Sequence, residues 1–399
     1  MHLSTRIALA GFGLSSIVLL LACGGAGSTA TTPSAPSTPS APPANPGLAE
    51  YTTVDLAALP RYSQPTFPVH YDTQVLGTDN QRASNVVTDL GATLGRVLFF
   101  DKRLSVSGTV SCASCHQQSL GFGDRATFSA GFEAGLVTGA HAMRLPNARF
   151  YTPGTMFWDK RAATLEAQTT QPIQSSVEMG FDAAHGGLPA LFSRMQALPY
   201  YPELFKAVYG DSQITEDRIQ KALAQYVRSM VSTHSRWDDG AALTYDPALP
   251  GKGAGAPKPT FTASENRGQQ LFFTGKPQGG AGCIACHTAP TFAMAGNSLS
   301  NGLAAGETRT FKSPSLKGVS DTGPYMHDGS KATLLDVIEH YDHGIQDGPA
   351  LDPRLKGPDG QPQRLNLSAA DKQALVDFLR TLQDPVLASD PRFTTPFKQ

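Results

Sequence analysis

The chain has 399 residues, of which 40% are hydrophobic and 16% charged, and its formal net charge is −1. This length allows two modest packed domains once a leader is removed. The near-zero charge excludes the strongly basic surface of a nucleic-acid-binding protein and gives no large field toward an acidic membrane face. The 39 glycines and 30 prolines indicate long loops.

Residues 1–22 predict an export signal. A cationic start precedes an apolar run, Ile7 to Ala22, which contains glycines and is shorter than the about 20 residues of a spanning helix. The run ends in Leu-Leu-Ala-Cys, which is similar to a bacterial lipobox whose cysteine, here Cys23, becomes the lipidated N-terminus. Cleavage near Ala30 without lipidation is the alternative. Either way we expect a periplasmic protein, and with Cys23 lipidated the lipid anchor is its only contact with the membrane.

The rest of the chain divides by composition. Residues 23–50 are rich in Ser, Thr, Pro and Ala and have almost nothing to bury, so they predict a flexible tether. We expect a first domain over residues 51–240, a linker rich in Gly and Pro over residues 241–260, and a second domain over residues 261–399.

The pattern C-x-x-C-H occurs twice and is the attachment signature of a c-type haem. Two cysteines three apart can form thioethers to both vinyl groups of one porphyrin, and the next histidine lies under the iron as proximal ligand. A bare C-x-x-C would also fit a zinc half-site or a redox dithiol. The attachment residues are Cys112, Cys115 and His116 in the first motif and Cys283, Cys286 and His287 in the second.

Each motif follows the same kind of segment. Residues 88–104 and 265–273 have apolar residues at helical spacing and both contain Leu-Phe-Phe, and each leads through a loop to C-x-x-C-H. We therefore predict an all-α fold from an internal duplication, with two cytochrome c-type domains, long loops and one covalent haem c in each domain.

Longer motifs resemble the bacterial dihaem cytochrome c peroxidases, a family that includes MauG. The resemblance runs from about Leu94 to Leu382. Its motifs are, in order, L-F-F-D-x-R-L-S at 98–105, F-W-D-x-R-A-A at 157–163, P-I-Q-x-x-V-E-M at 172–179, F-K-x-P-S-L at 311–316 and P-Y-M-H-D-G at 324–329.

The resemblance implies a role for four residues of the first domain. Trp158 lies between the two haems and relays electrons, although a lone tryptophan is more often a core residue. Gln168, Pro172 and Glu178 match the pocket above the first haem. Glu178 suits the transfer of a proton from the near to the far peroxide oxygen, and Gln168 can hydrogen-bond the peroxide. By residue type alone, Glu178 would be a solvated charge at a helix end.

Two departures from the family pattern concern the sixth iron ligands. Most members have a histidine that caps the first iron where this chain has Phe132, so we expect an open position there, with His141 as the rival ligand. In the second domain the usual axial methionine position falls on Tyr341, and Met326 and Met294 are the rivals. A tyrosine must ionise to ligate, and Fe(III) favours its ionised form.

The helical spacing of the segment before Tyr341 supports this assignment. Leu334, Val337, Ile338 and Tyr341 recur at helical intervals, which predicts that Tyr341 is on the buried face. The helical repeat turns His340 about 100° away, so it is the poorer candidate ligand.

The resemblance also implies a calcium ion between the domains, held partly by backbone carbonyls. Thr322 and Pro324 match two of those positions, and the usual asparagine partner does not align with residues 140–147. A neutral imidazole such as that of His141 is a poor calcium ligand compared with an oxygen donor. The sequence leaves calcium binding open.

Three functions follow. The first is a peroxidase that reduces hydrogen peroxide at the first haem, with electrons from a small periplasmic donor, a cytochrome c or a cupredoxin, relayed through the second. The second is a MauG-like oxidase that stores high-valent iron to oxidise a protein or an aromatic substrate. The third is a dihaem electron carrier without catalysis, which requires two six-coordinate irons. The sequence allows a homodimer and does not name the donor.

Overall fold

The structure is a computed structural model that describes residues 46–294, 296–320 and 322–398. The predicted leader, Cys23 and most of the tether lie outside these ranges. Within them the regular structure is helical, and the β pairings are isolated bridges. No helix there combines the length and the apolar character needed to cross a bilayer. The α-helices are α1 (Pro46–Tyr51), α2 (Thr73–Leu76), α3 (Asp89–Phe100), α4 (Cys112–Cys115), α5 (Leu165–Thr169), α6 (Gln171–Gln174), α7 (Gly187–Gln196), α8 (Tyr200–Tyr209), α9 (Glu216–Ser229), α10 (Arg236–Thr244), α11 (Ala263–Phe273), α12 (Leu334–Glu339), α13 (Ala369–Arg380) and α14 (Pro385–Ser389).

Helices α3 and α9 form the centre of the first half. Each begins at the threonine that its sequence indicates: the Thr88 side chain accepts a hydrogen bond from the Gly91 amide at 3.0 Å, and Thr215 caps α9 in the same way. The two helices cross at Gly95, where a Cβ atom would lie 2.1 Å from the Ala222 carbonyl oxygen. Only glycine allows this approach, which brings the apolar faces of both helices into one core.

The second half repeats this arrangement with α11 and α13. They cross at Gly268, where a Cβ atom would lie 1.9 Å from the Ala374 carbonyl oxygen. The Ser368 side chain caps α13 by accepting a hydrogen bond from the Asp371 amide at 3.1 Å. The apolar side chains of α13 are buried in a second core, together with Trp237.

Loop geometry repeats as well. A bridge closes the loop after each C-x-x-C-H motif, and a second bridge closes a later turn in each half. The bridged pairs are Gln117 with Gly123, Thr288 with Ala293, Met156 with Ala162, and Tyr325 with Lys331. Inside the later turns, Phe157 and Met326 have the positive φ values of 67° and 72°. The predicted all-α fold with two repeated halves is confirmed.

The predicted tether ends earlier than residue 50, because residues 46–50 belong to α1. Leu48 is buried in the first core, and its carbonyl oxygen accepts a hydrogen bond from the Thr52 side chain at 2.9 Å. The spacing of Leu48 and Tyr51 puts two apolar side chains on one face of a short helix that packs against α8. Residues 46–50 therefore belong to the folded part.

The stretch predicted as a linker, residues 241–260, is folded into the second half. Helix α10 runs into it, and Lys258 within it is buried, with its ammonium donating to the Gly253 carbonyl oxygen at 3.0 Å. Glycine and proline here form tight turns rather than a flexible connection.

The chain end also differs from the predicted boundaries, because residues 384–398 return to the first half. Leu387 and Phe393 are buried in the first core. The Arg96 guanidinium of α3 donates to the Thr394 carbonyl oxygen at 2.8 Å and holds this segment in place.

Candidate active site

The first C-x-x-C-H motif forms the one-turn helix α4, capped by Ser111 and Ser114. His116 follows directly, and its Nδ1 lies 2.9 Å from the Phe122 carbonyl oxygen. A carbonyl oxygen only accepts, so Nδ1 carries the proton and Nε2 is left with a free lone pair. A hydrogen bond of this kind fixes the ring orientation of metal-binding histidines. Burial lowers the pKa of His116, which keeps the ring in the neutral form that binds metal.

The four cysteines of the motifs are unpaired and partly buried. Burial is the main cause that raises the pKa of Cys112 and Cys283 to about 12 and of Cys115 to about 11. Such thiols are poor redox nucleophiles, since that role uses the thiolate. In the described part of the chain, the one cluster with metal-ligand spacing is Glu339, Asp342 and His343, with no motif cysteine in it. The geometry therefore fits haem attachment better than a zinc half-site or a dithiol.

Glu178 lies beside the first motif. Its carboxylate charge contributes to the raised pKa of both Cys112 and Cys115, which places it close to these side chains. Burial raises the pKa of Glu178 itself, and Arg161 offsets part of that rise. A carboxyl group with a raised pKa in a partly buried site gives and takes protons at a higher pH than an exposed glutamate, which suits a general acid–base catalyst.

Three other residues are expected near the first iron: Phe132, Gln168 and Pro172. Phe132 packs on the backbone of Gly180, where a Cβ atom would come within 2.9 Å of the ring. Phe132 is therefore next to the loop that carries Glu178, and a phenyl ring there cannot ligate iron. Gln168 lies on α5 and is partly buried, and in the described ranges its side chain has no recorded hydrogen bond. Pro172 lies on α6.

His141, the rival ligand for the first iron, is held by the backbone. Its Nδ1 lies 3.1 Å from the Ala126 carbonyl oxygen and 3.3 Å from that of Thr127. Its own amide donates to the His327 carbonyl oxygen at 2.9 Å. These contacts fix His141 in the contact region between the two halves, and any move into the first site would break them.

The second motif opens into a large cavity of about 1500 Å³, its open mouth included. Cys283, Cys286 and His287 lie on its wall together with Leu375 and Leu379 of α13. Burial lowers the pKa of His287 to about 4, so this imidazole is also neutral.

Two of the three candidate sixth ligands of the second haem line this cavity. Tyr341 and Met326 face it, whereas Met294 is buried outside it. The Asn301 amide donates to the Met326 sulfur at 3.4 Å, which occupies that sulfur. Burial raises the pKa of Tyr341 to about 12, so its ionisation would require a cation in the cavity. His340 points elsewhere, because its Nε2 lies 3.0 Å from the Asn301 carbonyl oxygen.

Two cations on the cavity wall, the buried Lys312 and the partly buried Arg144, test whether the residues fit a haem. The Lys312 ammonium lies 3.3 Å from the Met156 sulfur and 4.7 Å from the centre of the Tyr151 ring, and burial lowers its pKa to about 8. The Nε atom of Arg144 is buried without a partner. In the described part of the chain neither cation has a carboxylate partner, an arrangement that is costly unless an anion binds. Because haem c carries two carboxylates, the cavity fits it.

Sequence reasoning missed both cations. Lys312 is the lysine of the F-K-x-P-S-L motif, and its place in that motif could have indicated a role at the second site. Arg144 stands in the stretch that was read for a calcium ligand, and nothing local shows that its side chain reaches the second half.

Trp158 lies where the two halves meet. It follows Phe157 in the bridged turn of the first half, yet its ring lines the cavity of the second motif. Its indole N–H donates to the His141 carbonyl oxygen at 2.7 Å, and its own carbonyl oxygen accepts from the Lys312 amide at 2.7 Å. The ring therefore has one fixed orientation between the halves.

A positive charge lies next to Thr322, one of the two residues whose carbonyls are expected to bind calcium. The Thr322 hydroxyl accepts a hydrogen bond from the Arg144 guanidinium at 3.2 Å and lies 3.0 Å from the Val319 carbonyl oxygen. A neighbouring guanidinium disfavours a divalent cation, which needs oxygen ligands.

The chain was compared with known families and proteins. The model of the di-haem cytochrome c peroxidase family matches residues 90–244, and the cytochrome c model matches residues 265–383. The methylamine utilization protein MauG of Methylorubrum extorquens is 35% identical over 75% of this chain and 80% of its own length. The cytochrome c551 peroxidase of Nitrosomonas europaea is 33% identical over 62% of this chain and 71% of its own length.

One solved structure is similar along nearly its whole length. It is a MauG-like protein associated with microbial copper homeostasis, 30% identical, with a TM-score of 0.64 over 85% of this chain and 98% of that one.

Proposed function

This chain belongs to the di-haem cytochrome c peroxidase family, which includes MauG, and from that premise we propose that it reduces hydrogen peroxide to water at the first haem site. The balance is one peroxide, two protons and two electrons to two waters. The electrons pass through the second site. The observation that carries the proposal is the position of Glu178, a partly buried carboxylate with a raised pKa beside Cys112 and Cys115.

The residues of the first site have separate tasks. When bound there, haem supplies the iron that takes peroxide and changes oxidation state. His116 offers Nε2 from the proximal side, since its Nδ1 is held by the Phe122 carbonyl oxygen. Glu178 accepts the proton of the near peroxide oxygen and returns it to the far oxygen, so that water rather than hydroxide leaves. Gln168 orients the peroxide by a hydrogen bond.

We expect that Trp158→Phe preserves the reaction of the first haem with one equivalent of peroxide but slows oxidation of the second haem. The indole lies between the sites and is the oxidisable ring on that route, and phenylalanine keeps its bulk without its low oxidation potential. Stopped-flow spectra of both haems measure the effect. Trp237→Phe is the matched control, because Trp237 is buried in the second core and bonds Gln269. Equal rates in wild type and Trp158→Phe would make Trp158 a core residue only.

A MauG-like oxidase is the second candidate, and two residues favour it. Phe132 next to the Glu178 loop cannot cap the first iron, which favours a ferric protein that reacts without prior reduction. Tyr341 lines the second cavity, and a phenolate ligand favours ferric and higher states, whereas methionine raises the potential. A second haem with this ligand shares the oxidising equivalents with the first haem, instead of only passing electrons to it.

Spectra of the resting protein test the role of Tyr341. We expect Tyr341→Phe to change the ligand-dependent bands and the EPR spectrum of the second haem and to raise its reduction potential. Met326→Leu is the matched control and should leave both unchanged, because its sulfur is held by Asn301. A methionine–sulfur band that is present in wild type and persists in Tyr341→Phe contradicts this assignment.

Steady-state assays separate the two candidate functions. A peroxidase oxidises a reduced small cytochrome c or a cupredoxin continuously with peroxide as the limiting substrate. A MauG-like enzyme turns over such donors slowly and instead oxidises a protein or an aromatic compound. Fast turnover of the donor would rule out the MauG-like alternative as the main activity.

We further propose export to the periplasm and lipidation at Cys23. The support is the sequence of the leader, with its apolar run before Leu-Leu-Ala-Cys. Fractionation of cells that express the wild type and Cys23→Ala checks it: the wild type should stay with membranes after a salt wash, and the variant should not. Equal distribution of both would rule out the anchor.

A further inference from the structure

We propose that Arg144 is a built-in cation between the two haem sites, in the place where the family resemblance predicts calcium, and that this protein folds and works without calcium. This inference does not depend on which of the two activities the enzyme has. It concerns how the two halves are held together and how the charge at the second haem is balanced.

The stem of Arg144 lies against the proximal loop of the first site. Its Cγ would be 3.2 Å from a Cβ atom at Gly123, and its Cδ 3.4 Å from one at Gly121. These two glycines flank Phe122, whose carbonyl oxygen holds His116. The absence of side chains at both positions makes room for the arginine to pass the first site.

The guanidinium end of Arg144 lies in the second half. It donates to the Thr322 hydroxyl at 3.2 Å, lies 5.4 Å from the centre of the Tyr325 ring and lines the cavity of the second motif. One side chain thus spans from the loop of His116 to the cavity of His287, as a calcium ion between the domains would.

The charge at this position disfavours a second cation. Calcium takes 6–8 oxygen ligands, mostly carboxylates, carbonyls and waters. An ion on the Thr322 carbonyl would be close to a permanently charged guanidinium, in surroundings where water does not screen the repulsion. Within the described ranges the cluster of acidic side chains is elsewhere, at Glu339 and Asp342, and Lys372 neutralises it.

The free donors of the guanidinium indicate its counter-ion. Nε is buried and has no partner in the described part of the chain, and no carboxylate of the described residues forms an ion pair with Arg144. A carboxylate of the second haem is the anion that can reach it from the cavity. Arg144 is therefore a positioning residue for that haem: its charge holds the carboxylate and stabilises the reduced iron.

Metal analysis of the holoprotein tests the inference directly. After gel filtration with EGTA we expect no stoichiometric calcium, and neither EGTA nor added calcium should shift the thermal unfolding midpoint or the spectrum of either haem. Retention of one calcium per chain, or a spectrum that changes with EGTA and recovers with calcium, would overturn the proposal.

Variants test the role of the charge. Arg144→Gln should shift the reduction potential of the second haem to more negative values and leave that of the first haem unchanged. Arg144→Lys keeps the positive charge, so its second haem should have a potential close to the wild-type value. Arg96→Gln is the matched control, since Arg96 is a buried arginine and bonds Thr394 and Pro391 outside the cavity. Arg96→Gln should lower the stability of the protein without changing the reduction potential of either haem. An unchanged second potential in a folded Arg144→Gln contradicts the proposal, and if that variant does not fold, the calcium assays on wild type still decide.

Discussion

His116→Gly is expected to abolish peroxide turnover while the visible spectrum of the second haem stays that of the wild type. Cys112 and Cys115 still hold the first haem through their thioethers, but the iron loses its proximal nitrogen. The second site is unaffected because its histidine, His287, lines the separate cavity of the second half. Turnover of a reduced donor and spectra of both haems are the measurements.

Two controls make this result specific. Added imidazole should restore part of the turnover in His116→Gly, because the deleted side chain leaves a space of that shape beside the Phe122 carbonyl oxygen. His287→Gly should stop electron delivery and leave the first haem reactive toward one equivalent of peroxide. If His287→Gly instead blocks that single reaction while His116→Gly permits it, the two sites have been assigned in reverse.

Glu178→Gln is expected to lower kcat/KM for peroxide by about 100-fold or more, the range of a lost general acid–base catalyst. The amide keeps the shape of the side chain but cannot take the peroxide proton. Haem content and the resting spectrum should not change. Glu166→Gln is the matched control: Glu166 is a buried carboxylate of the same domain, bonded to Arg228 and Asn85 rather than placed beside the motif cysteines. It should cost stability and leave the peroxide rate within a few-fold.

The pH profile distinguishes catalysis by Glu178 from a structural effect. Glu178 must be a carboxylate to accept the proton, so the rate falls as the pH drops through its pKa. Burial raises that pKa, so the fall begins at a higher pH than for an exposed glutamate. The Gln variant should lack this acid limb. An acid limb of the same shape in Glu178→Gln would assign the titration to another group.

Much of the fold was predictable because its signals are local. The C-x-x-C-H spacing, the caps at Thr88, Thr215 and Ser368, and the 3.6-residue stripes each depend on a few neighbouring residues. The same holds for Tyr341: the helical spacing puts it on the buried face, and the structure has it on the cavity wall although the α-helix itself ends at Glu339.

What escaped prediction depends on contacts between distant residues. Leu48 looked too isolated in a Ser- and Pro-rich stretch to form a helix, and its partner helix, α8, is about 150 residues away. The return of Phe393 to the first core has the same cause. The contact between Arg144 and Thr322 joins residues 178 positions apart, and no local pattern indicates it.

The EPR spectrum of the resting ferric wild-type protein, before and after one equivalent of hydrogen peroxide, tests the central claim most directly. We expect a high-spin signal from the first haem, because Phe132 cannot ligate and His141 is held by backbone bonds, and we expect peroxide to abolish it. Two low-spin six-coordinate signals that peroxide leaves unchanged would contradict the account and make the protein a dihaem electron carrier.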